Sequence, residues 1–270
     1  MGAISATVVG FEFTSLPAPV HVVLVVLAGF AGGAIWGAIP GFLKAKSGAH
    51  EVITTIMLNY VSYRLADYAL STTFYRRPDR TDPISKPATV AYPHLFGSAY
   101  RISLGIIVAL IVAALVAFLI NRTTVGFEFQ AVGANPDASR AAGMSPTRTF
   151  IVVMALAGGL AGLAGANQLL TVSPSLTPGY SSGFGFDGIA IALLGKSRPS
   201  GVILAAFLFG AMRAGSRAMQ AATQTPVDIV LVIQAFVILF IAAPPLVRSI
   251  WRVRLGEPVT AEILTRGWGG

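Results

Sequence analysis

The sequence predicts an all-α integral membrane protein that crosses the membrane several times. Hydrophobic residues make up 54% of the 270-residue chain and charged residues only 11%, whereas soluble globular domains carry about 25% charged residues. The apolar residues come in blocks, most of them close to the roughly 20 residues that a helix needs to span a bilayer. Glycine and proline interrupt the later blocks, which is typical of discontinuous membrane helices. We therefore expect about six to seven membrane segments, some of them discontinuous.

The N-terminal residues 1–19 contain no Lys or Arg and are predicted to be a lead on the non-cytoplasmic side. In the first span, residues 21–43, glycine recurs at every fourth position and forms a smooth helix face. Small residues at this spacing allow a second helix to approach closely. Glycines in a later span, residues 149–170, have a similar spacing. The predicted packing glycines are Gly29, Gly33, Gly37, Gly158 and Gly162.

The second span, residues 51–70, carries several polar side chains. Glu51, Thr55, Asn59 and Tyr63 follow one another at intervals of four and therefore share one helix face. Polar groups at membrane depth face either protein or a water-filled cavity. The pattern fits a helix that lines an aqueous path, and it fits equally well a buried polar network between helices.

The remaining elements follow from hydropathy and charge. Lys and Arg are somewhat more numerous on the side assigned to the cytoplasm, in the direction of the positive-inside rule. A single membrane domain over residues 1–270 results, with an external loop at 71–100, a cytoplasmic segment at 121–148 and a cytoplasmic tail at 247–270. The further predicted crossings are residues 101–120, 149–170, 184–196, 200–213 and 228–244.

Segment 121–148 contains the signals of a short, well-defined helix. Asn135 is a good N-cap, and Pro136 suits the first helical position. Asp137 lies where the helix dipole favours negative charge. Gly143 is able to adopt the left-handed turn that ends a helix. A short helix at the membrane surface with capping signals at both of its ends indicates a contact with a partner.

The sequence contains no convincing motif of an enzyme or of a nucleotide-binding protein. Residues 183–188 match G-x-G-x-x-G, but no strand is predicted before them. Gly195, Lys196 and Ser197 end a stretch that lacks the glycine spacing of a P-loop. The three histidines have no metal-ligand spacing, and no G-x-S-x-G elbow is present. We therefore expect no enzymatic activity, no cofactor and no metal, and the scattered basic residues favour lipid contact over nucleic acid.

Three ordered blocks carry a resemblance to a known family. They are residues 41–60 (GFLKAKSGAHEVITTIMLNY), residues 131–136 with 141–144 (AVGANP and AAGM), and residues 185–195 (GFDGIAIALLG). These blocks resemble the permeases of ABC importers for nucleosides and simple sugars, within the broader group of ribose and branched-chain amino-acid permeases.

The resemblance implies a multi-pass protein of a bacterial or archaeal inner (plasma) membrane. It implies three protein partners, namely an ABC ATPase that hydrolyses ATP, a second homologous permease and an extracytoplasmic substrate-binding protein. Segment 121–148 would then dock on the ATPase, and we expect the coupling residues to be Gly133, Asn135, Pro136, Asp137, Arg140 and Gly143. For a path that carries a small polar solute, we expect the lining residues to be Asn59, Tyr63, Asn167 and Asp187.

One feature departs from the resemblance. Members of that group usually have a further N-terminal membrane segment and an Asn-Ile-Gly-x-Glu-Gly-Gln block, which this sequence does not contain. We expect the chain to be a truncated form or to receive these elements from elsewhere. The alternative functions are a channel or secondary transporter without an ATPase, and a membrane scaffold that transports nothing.

Overall fold

The computed structural model describes residues 1–95, 103–181, 183–224, 226 and 228–242. Within these residues the secondary structure is helical apart from turns and two isolated antiparallel bridges. The helices are α1 (Gly2–Glu12), α2 (Ala18–Ser47), α3 (Glu51–Ser71), α4 (Leu104–Arg122), α5 (Thr124–Ala134), α6 (Pro136–Ala141), α7 (Pro146–Thr171), α8 (Phe184–Leu194), α9 (Pro199–Thr223) and α10 (Asp228–Ala242). The predicted all-α class is confirmed. The predicted tail, residues 247–270, lies outside the described residues.

Four of the described helices are long and apolar enough to cross a membrane, namely α2, α4, α7 and α9. Helix α3 has 21 residues but a more polar composition, and α8 has only 11 residues. These long apolar helices confirm a polytopic membrane protein. The structure corrects the end of one predicted span: α9 continues beyond residue 213, the predicted end of that crossing, to Thr223. An arginine late in a membrane helix is tolerated when its head is paired or reaches the interface.

The chain divides into two compact units, residues 1–185 and residues 186–270. In the first unit, α2 and α7 form the main interface. The glycines of the two helices face one another, and a Cβ on Gly33, Gly158 or Gly162 would collide with the backbone of the opposite helix. Such close approach allows extensive van der Waals contact, which holds helices together in lipid.

Helix α1 also belongs to this core, although the sequence predicts only a lead there. Gly2 contacts α2 and α7 so closely that a Cβ would collide with both, and Ala6 is fully buried. Ser5 donates a hydrogen bond to the carbonyl oxygen of Ala28, 2.8 Å away. The buried His21 ring on α2 donates to the carbonyl oxygen of Val9, also over 2.8 Å. Polar bonds and small residues together therefore fix α1 against α2.

The segment between α3 and α4 is ordered by a short hairpin over residues 75–86. The Lys86 amide donates to the carbonyl oxygen of Tyr75 over 2.7 Å, and the Arg77 amide donates to that of Ile84 over 3.1 Å. The buried Ser85 hydroxyl accepts a 2.8 Å bond from the backbone amide of Leu176, just after α7. The described part of this predicted external loop is thus anchored at Ser85 to the chain that follows α7.

In the second unit, α8 and α9 form a helical hairpin. Gly195 and Gly201 approach so closely that a Cβ on either would collide with the other's backbone. Lys196 and Ser197 have positive φ angles of 53° and 54° and reverse the chain between the two helices. Toward the other end of the hairpin, Arg213 Nη1 lies 2.7 Å from Asp187 Oδ2. The ion pair and the glycine contact therefore hold the two helices together at two levels.

Candidate functional site

Segment 121–148 presents a short helix with well-defined caps on the surface of the first unit. The Asn135 side-chain oxygen accepts bonds from the amides of Asp137, 3.1 Å away, and Ala138, 3.0 Å away. Pro136 occupies the first turn of α6 and Asp137 follows it. The predicted N-cap is therefore confirmed, and it satisfies two of the backbone donors that a helix start leaves free.

The end of α6 is closed in the way that the sequence predicts. Gly143 has a φ of 85°. Its amide donates to the carbonyl oxygen of Arg140, and the Met144 amide donates to that of Ser139, each over 3.0 Å. These two bonds form a Schellman motif, which satisfies the last carbonyl groups of a helix. Six residues therefore hold a helical turn because both ends are capped.

Helix α5 holds α6 in place against the neighbouring spans. The Thr149 hydroxyl on α7 donates a 2.8 Å hydrogen bond to Glu128 Oε1 on α5. The Gln130 side chain donates to the carbonyl oxygen of Ile120 at the end of α4, also over 2.8 Å. Gly126 lies so close to the end of α4 that a Cβ would collide with backbone atoms there. Segment 121–148 is thus fixed to the ends of two membrane helices.

The outer face of α6 is open. The side chains of Asp137 and Arg140 are 92% and 69% exposed, and they form only a 3.5 Å ion pair with each other. Asn135, Pro136 and Gly143 are exposed as well, as is Gly133 at the end of α5. All six predicted coupling residues therefore lie together on one continuous stretch of exposed surface, while the buried Ser139 faces inward.

The predicted path residues lie in different environments. Asn59 and Tyr63 are exposed on α3, whose only buried residue is Leu70. Thr54 and Thr55, one turn earlier, donate their hydroxyls back to the carbonyl oxygen of Glu51, over 3.0 and 2.8 Å. The α3 face that carries Asn59 therefore has no cover from the described part of this chain, and it is open to solute, lipid or another protein.

Asn167 has different surroundings from the α3 residues. Its side chain packs against Gly105 in the first turn of α4, where a Cβ would collide with the amide oxygen. That oxygen, Asn167 Oδ1, is buried and accepts no hydrogen bond from the described residues. The hydroxyl oxygen of Tyr92 is also buried and has no hydrogen-bond partner among the described residues, and burial raises the pKa of this hydroxyl. Buried polar atoms without partners commonly hold an ordered water.

Asp187 lies in the second unit, at the start of α8. Its carboxylate is bound by Arg213 of α9 over 2.7 Å, and the two side chains are 20% and 39% exposed. Such a charge-assisted bond is stronger than a neutral one. The sequence pattern identified Asp187 but missed Arg213, because the two residues are far apart along the chain and only the hairpin brings them together.

Several basic side chains of the hairpin between α3 and α4 have specific partners, which the number of Lys and Arg residues alone does not reveal. Arg77 binds both carboxylate oxygens of Asp79, over 3.0 and 2.9 Å, and this bond lowers the pKa of the Asp79 carboxyl. Lys86 lies 5.2 Å from the ring centre of Phe11 and 5.7 Å from that of Phe74. These cations therefore have structural partners, which explains part of the basic character of this loop.

Comparisons with known proteins agree with one another. The family described as "Branched-chain amino acid transport system / permease component" matches residues 1–242. The guanosine ABC transporter permease protein NupP of Bacillus subtilis is 40% identical over 253 residues, which cover 93% of this chain and 72% of that protein. The nucleoside ABC transporter permease protein NupB of Lactococcus lactis is 37% identical over 256 residues, covering 89% and 68%.

A more distant relative is the ribose import permease protein RbsC of Escherichia coli, 27% identical over 228 residues, which cover 79% of this chain and 65% of that protein. No solved structure matches the chain at a significant level.

Proposed function

This chain belongs to the branched-chain amino acid transport permease family, and on that premise we propose that it forms part of the path by which an ABC importer carries nucleosides or simple sugars. The membership makes it a permease component and a multi-pass protein of the plasma membrane. The proposed substrate class rests on the names of the relatives, which are described as guanosine, nucleoside and ribose permeases.

The observation that carries the coupling proposal is the capped helix α6. Its ends are closed by Asn135 and Gly143, and α5 ties it to the ends of α4 and α7. We propose that segment 121–148 is cytoplasmic and docks on a separate ABC ATPase. A force on α6 would pass through α5 to α4 and α7, because hydrogen bonds join α5 to both of these helices. ATP-driven movement can then shift the permease between two conformations, as alternating access requires.

Asn59, Tyr63, Asn167 and Asp187 are proposed to line the solute path. Amide, hydroxyl and carboxylate groups form hydrogen bonds with sugar hydroxyls and base edges. The exposed polar face of α3 supports this role for Asn59 and Tyr63, since lipid does not favour an amide at membrane depth. The unpartnered oxygen of Asn167 supports a polar neighbour there.

We further propose that a second homologous permease and an extracytoplasmic binding protein complete the importer. Gly105 is the only residue of α4 that the described part of the chain buries. That helix therefore has a large surface for lipid and for a partner permease. The channel and scaffold alternatives are not favoured, because the named relatives are ABC transporter permeases.

The test combines uptake with partner identification in the native host. Cells that lack the gene are complemented with the wild-type gene, with an empty vector, or with a variant in which residues 135–140 are replaced by a Gly/Ser linker. We expect radiolabelled guanosine, uridine or ribose to enter only with the wild-type chain. A protein with a P-loop motif should co-purify with the tagged wild-type chain and be lost with the linker variant. Unchanged uptake and ATPase recovery with the linker would overturn the coupling proposal.

A further inference from the structure

A cleft of about 250 Å3 borders α6 on the side of the α2–α3 turn. Its walls come from residues 44–45 and 48–51 of that turn, from Pro136 and Arg140 of α6, and from Pro146, Thr147 and Phe150 at the start of α7. We call it the turn cleft. Its volume lies below the roughly 300–1,000 Å3 of small-molecule sites, so it fits one or two side chains better than a whole nucleotide or nucleoside.

Lys44 holds the walls of the turn cleft in place. Its ammonium group lies 2.9 Å from Glu51 Oε1, at the first residue of α3. The same group lies 4.7 Å from the ring centre of Phe150 on α7. One side chain thus joins the end of α2 to the starts of α3 and α7. Gly48, with a φ of 66°, closes α2 and lets the chain turn toward α3.

Among the Lys, Arg, Asp and Glu side chains that line the turn cleft, only that of Arg140 has no ion-pair partner within the lining. The charges of Lys44 and Glu51 neutralise each other across the cleft wall. The i,i+3 partner of Arg140, Asp137, is 92% exposed and is not part of the cleft lining. An exposed pair at 3.5 Å contributes little and breaks at low cost. Arg140 is therefore ready to bind a better-placed carboxylate, which a guanidinium group can hold by two parallel hydrogen bonds.

We propose that the turn cleft receives an acidic side chain of the ABC ATPase, so that the docking surface comprises the α2–α3 turn as well as α6. This rests on the proposed function, which places α6 on the ATPase. A partner that contacts α6 lies next to the turn cleft, since Pro136 and Arg140 belong to both. Contact at the turn carries ATPase movement to α2 and α3, two helices that α6 does not touch through hydrogen bonds of its own.

The chain contains no cysteine, which permits a site-specific crosslinking test. Single cysteines replace Ala49 in the turn cleft, Ala138 on α6, and Thr81 at the tip of the hairpin. Each is labelled with a maleimide–benzophenone photo-crosslinker in membranes that contain the complete transporter, and products are identified by mass spectrometry. We expect the ATPase to be crosslinked from Ala49→Cys and Ala138→Cys and not from Thr81→Cys.

Failure of this inference and failure of the proposed function give different results. An ATPase crosslink from Ala138→Cys alone would overturn the role of the turn cleft and leave the coupling proposal intact. No ATPase crosslink from either position would overturn both. Products from Ala49→Cys that contain only lipid, or only a second copy of this chain, would also overturn the role of the turn cleft.

A charge series tests the chemistry of the occupant. The purified transporter ATPase is titrated onto the permease in nanodiscs at low and high salt. We expect Arg140→Gln to bind about tenfold more weakly and to lose much of the salt dependence, because a charge-assisted contact is missing. Arg140→Lys keeps the charge but not the two parallel hydrogen bonds, so its affinity should lie between those of Arg140→Gln and the wild type, with the salt dependence retained. Lys46→Gln, an exposed residue of the same turn outside the cleft, should match the wild type. Equal affinity of Arg140→Gln and the wild type would contradict an acidic occupant.

Discussion

Gly33 on α2 and Gly158 on α7 bring the backbones of the two helices into direct contact, because a Cβ on either residue would fall on the carbonyl oxygen of the other. One turn away, a Cβ on Gly162 would likewise fall on the carbonyl oxygen of Gly29, and a Cβ on Gly29 would collide with the methyl group of Ala166. Lipid does not drive apolar surfaces together, so helix pairs in a membrane depend on such close packing. The α2–α7 contact therefore stabilises the core against which α1 and the hairpin loop pack. Through α7 it also stabilises the position of segment 121–148.

Replacing Gly158 should therefore weaken the core. We expect Gly158→Ala to lower the free energy of unfolding by about 1–3 kcal/mol, because the new methyl group forces the backbones apart. Thermal unfolding of the purified chain in detergent measures the effect. The matched control is Gly210→Ala on α9, where a Cβ meets nothing within 4 Å. A similar loss of stability in both variants would contradict the packing role of Gly158.

The N-cap of α6 gives a second prediction. Asn135→Ala removes the acceptor for the amides of Asp137 and Ala138, and loss of an N-cap costs about 1 kcal/mol. A helix of six residues depends strongly on the caps at its two ends. We expect weaker ATPase association and lower uptake, with normal amounts of protein in the membrane. Asn135→Asp retains the acceptor and should behave like the wild type; if it fails equally, the cap is not the cause.

Much of this architecture is predictable from local sequence signals. The caps of α6 depend on Asn135, Pro136 and Gly143, which act within a few residues and are visible in the sequence. The membrane helices follow from their hydropathy. Helix α1 was not predicted, because a helix of 11 residues is too short to span a membrane. The small residues Gly2, Ala6 and Gly10 at intervals of four repeat the spacing of the α2 glycines, and this signal could have identified α1 as a packing helix.

Contacts between distant positions were not predictable in the same way. The pair Asp187–Arg213 depends on the α8–α9 hairpin, and the turn cleft depends on Lys44 reaching Phe150. Neither pair shares a helix face or a motif, so no periodicity brings its members together. The hairpin anchor at Ser85 depends likewise on a bond to Leu176. Pattern reasoning therefore identified the surface of α6 and missed the three-dimensional features around it.

The Ser85 anchor provides a third prediction. Ser85→Ala removes the acceptor of the Leu176 amide in a buried position. A buried donor without a partner costs about 1–3 kcal/mol. We expect the hairpin to become sensitive to limited proteolysis and the melting temperature to fall. Thr81→Ala, an exposed change at the hairpin tip, should leave both unchanged, and equal protection of the two variants would contradict the anchoring role.

The exposed face of α3 can be tested by uptake. Asn59→Leu keeps a side chain of similar size and removes its hydrogen-bonding groups. We expect uptake to fall at least about tenfold, since a polar solute path loses a donor and an acceptor. Met57→Leu is the control, because Met57 is 65% exposed and residues two apart do not share a helix face. Unchanged uptake by Asn59→Leu, at equal membrane expression, would remove Asn59 from the path.

The ion pair Asp187–Arg213 separates a structural from a transport role. Asp187→Asn leaves Arg213 without its carboxylate, and we expect the free energy of unfolding to fall by about 1–2 kcal/mol. That is less than the 3–5 kcal/mol of a fully buried pair, because the Arg213 side chain is 39% exposed. Adding Arg213→Gln removes the other partner of the ion pair, so the double variant should lose less stability than the sum of the two single changes. Uptake should stay low in both variants, because the solute path still lacks the carboxylate of Asp187. Thermal unfolding and uptake are measured on the same preparations, and a double variant with clearly more uptake than Asp187→Asn would show that Asp187 acts only by holding α8 against α9.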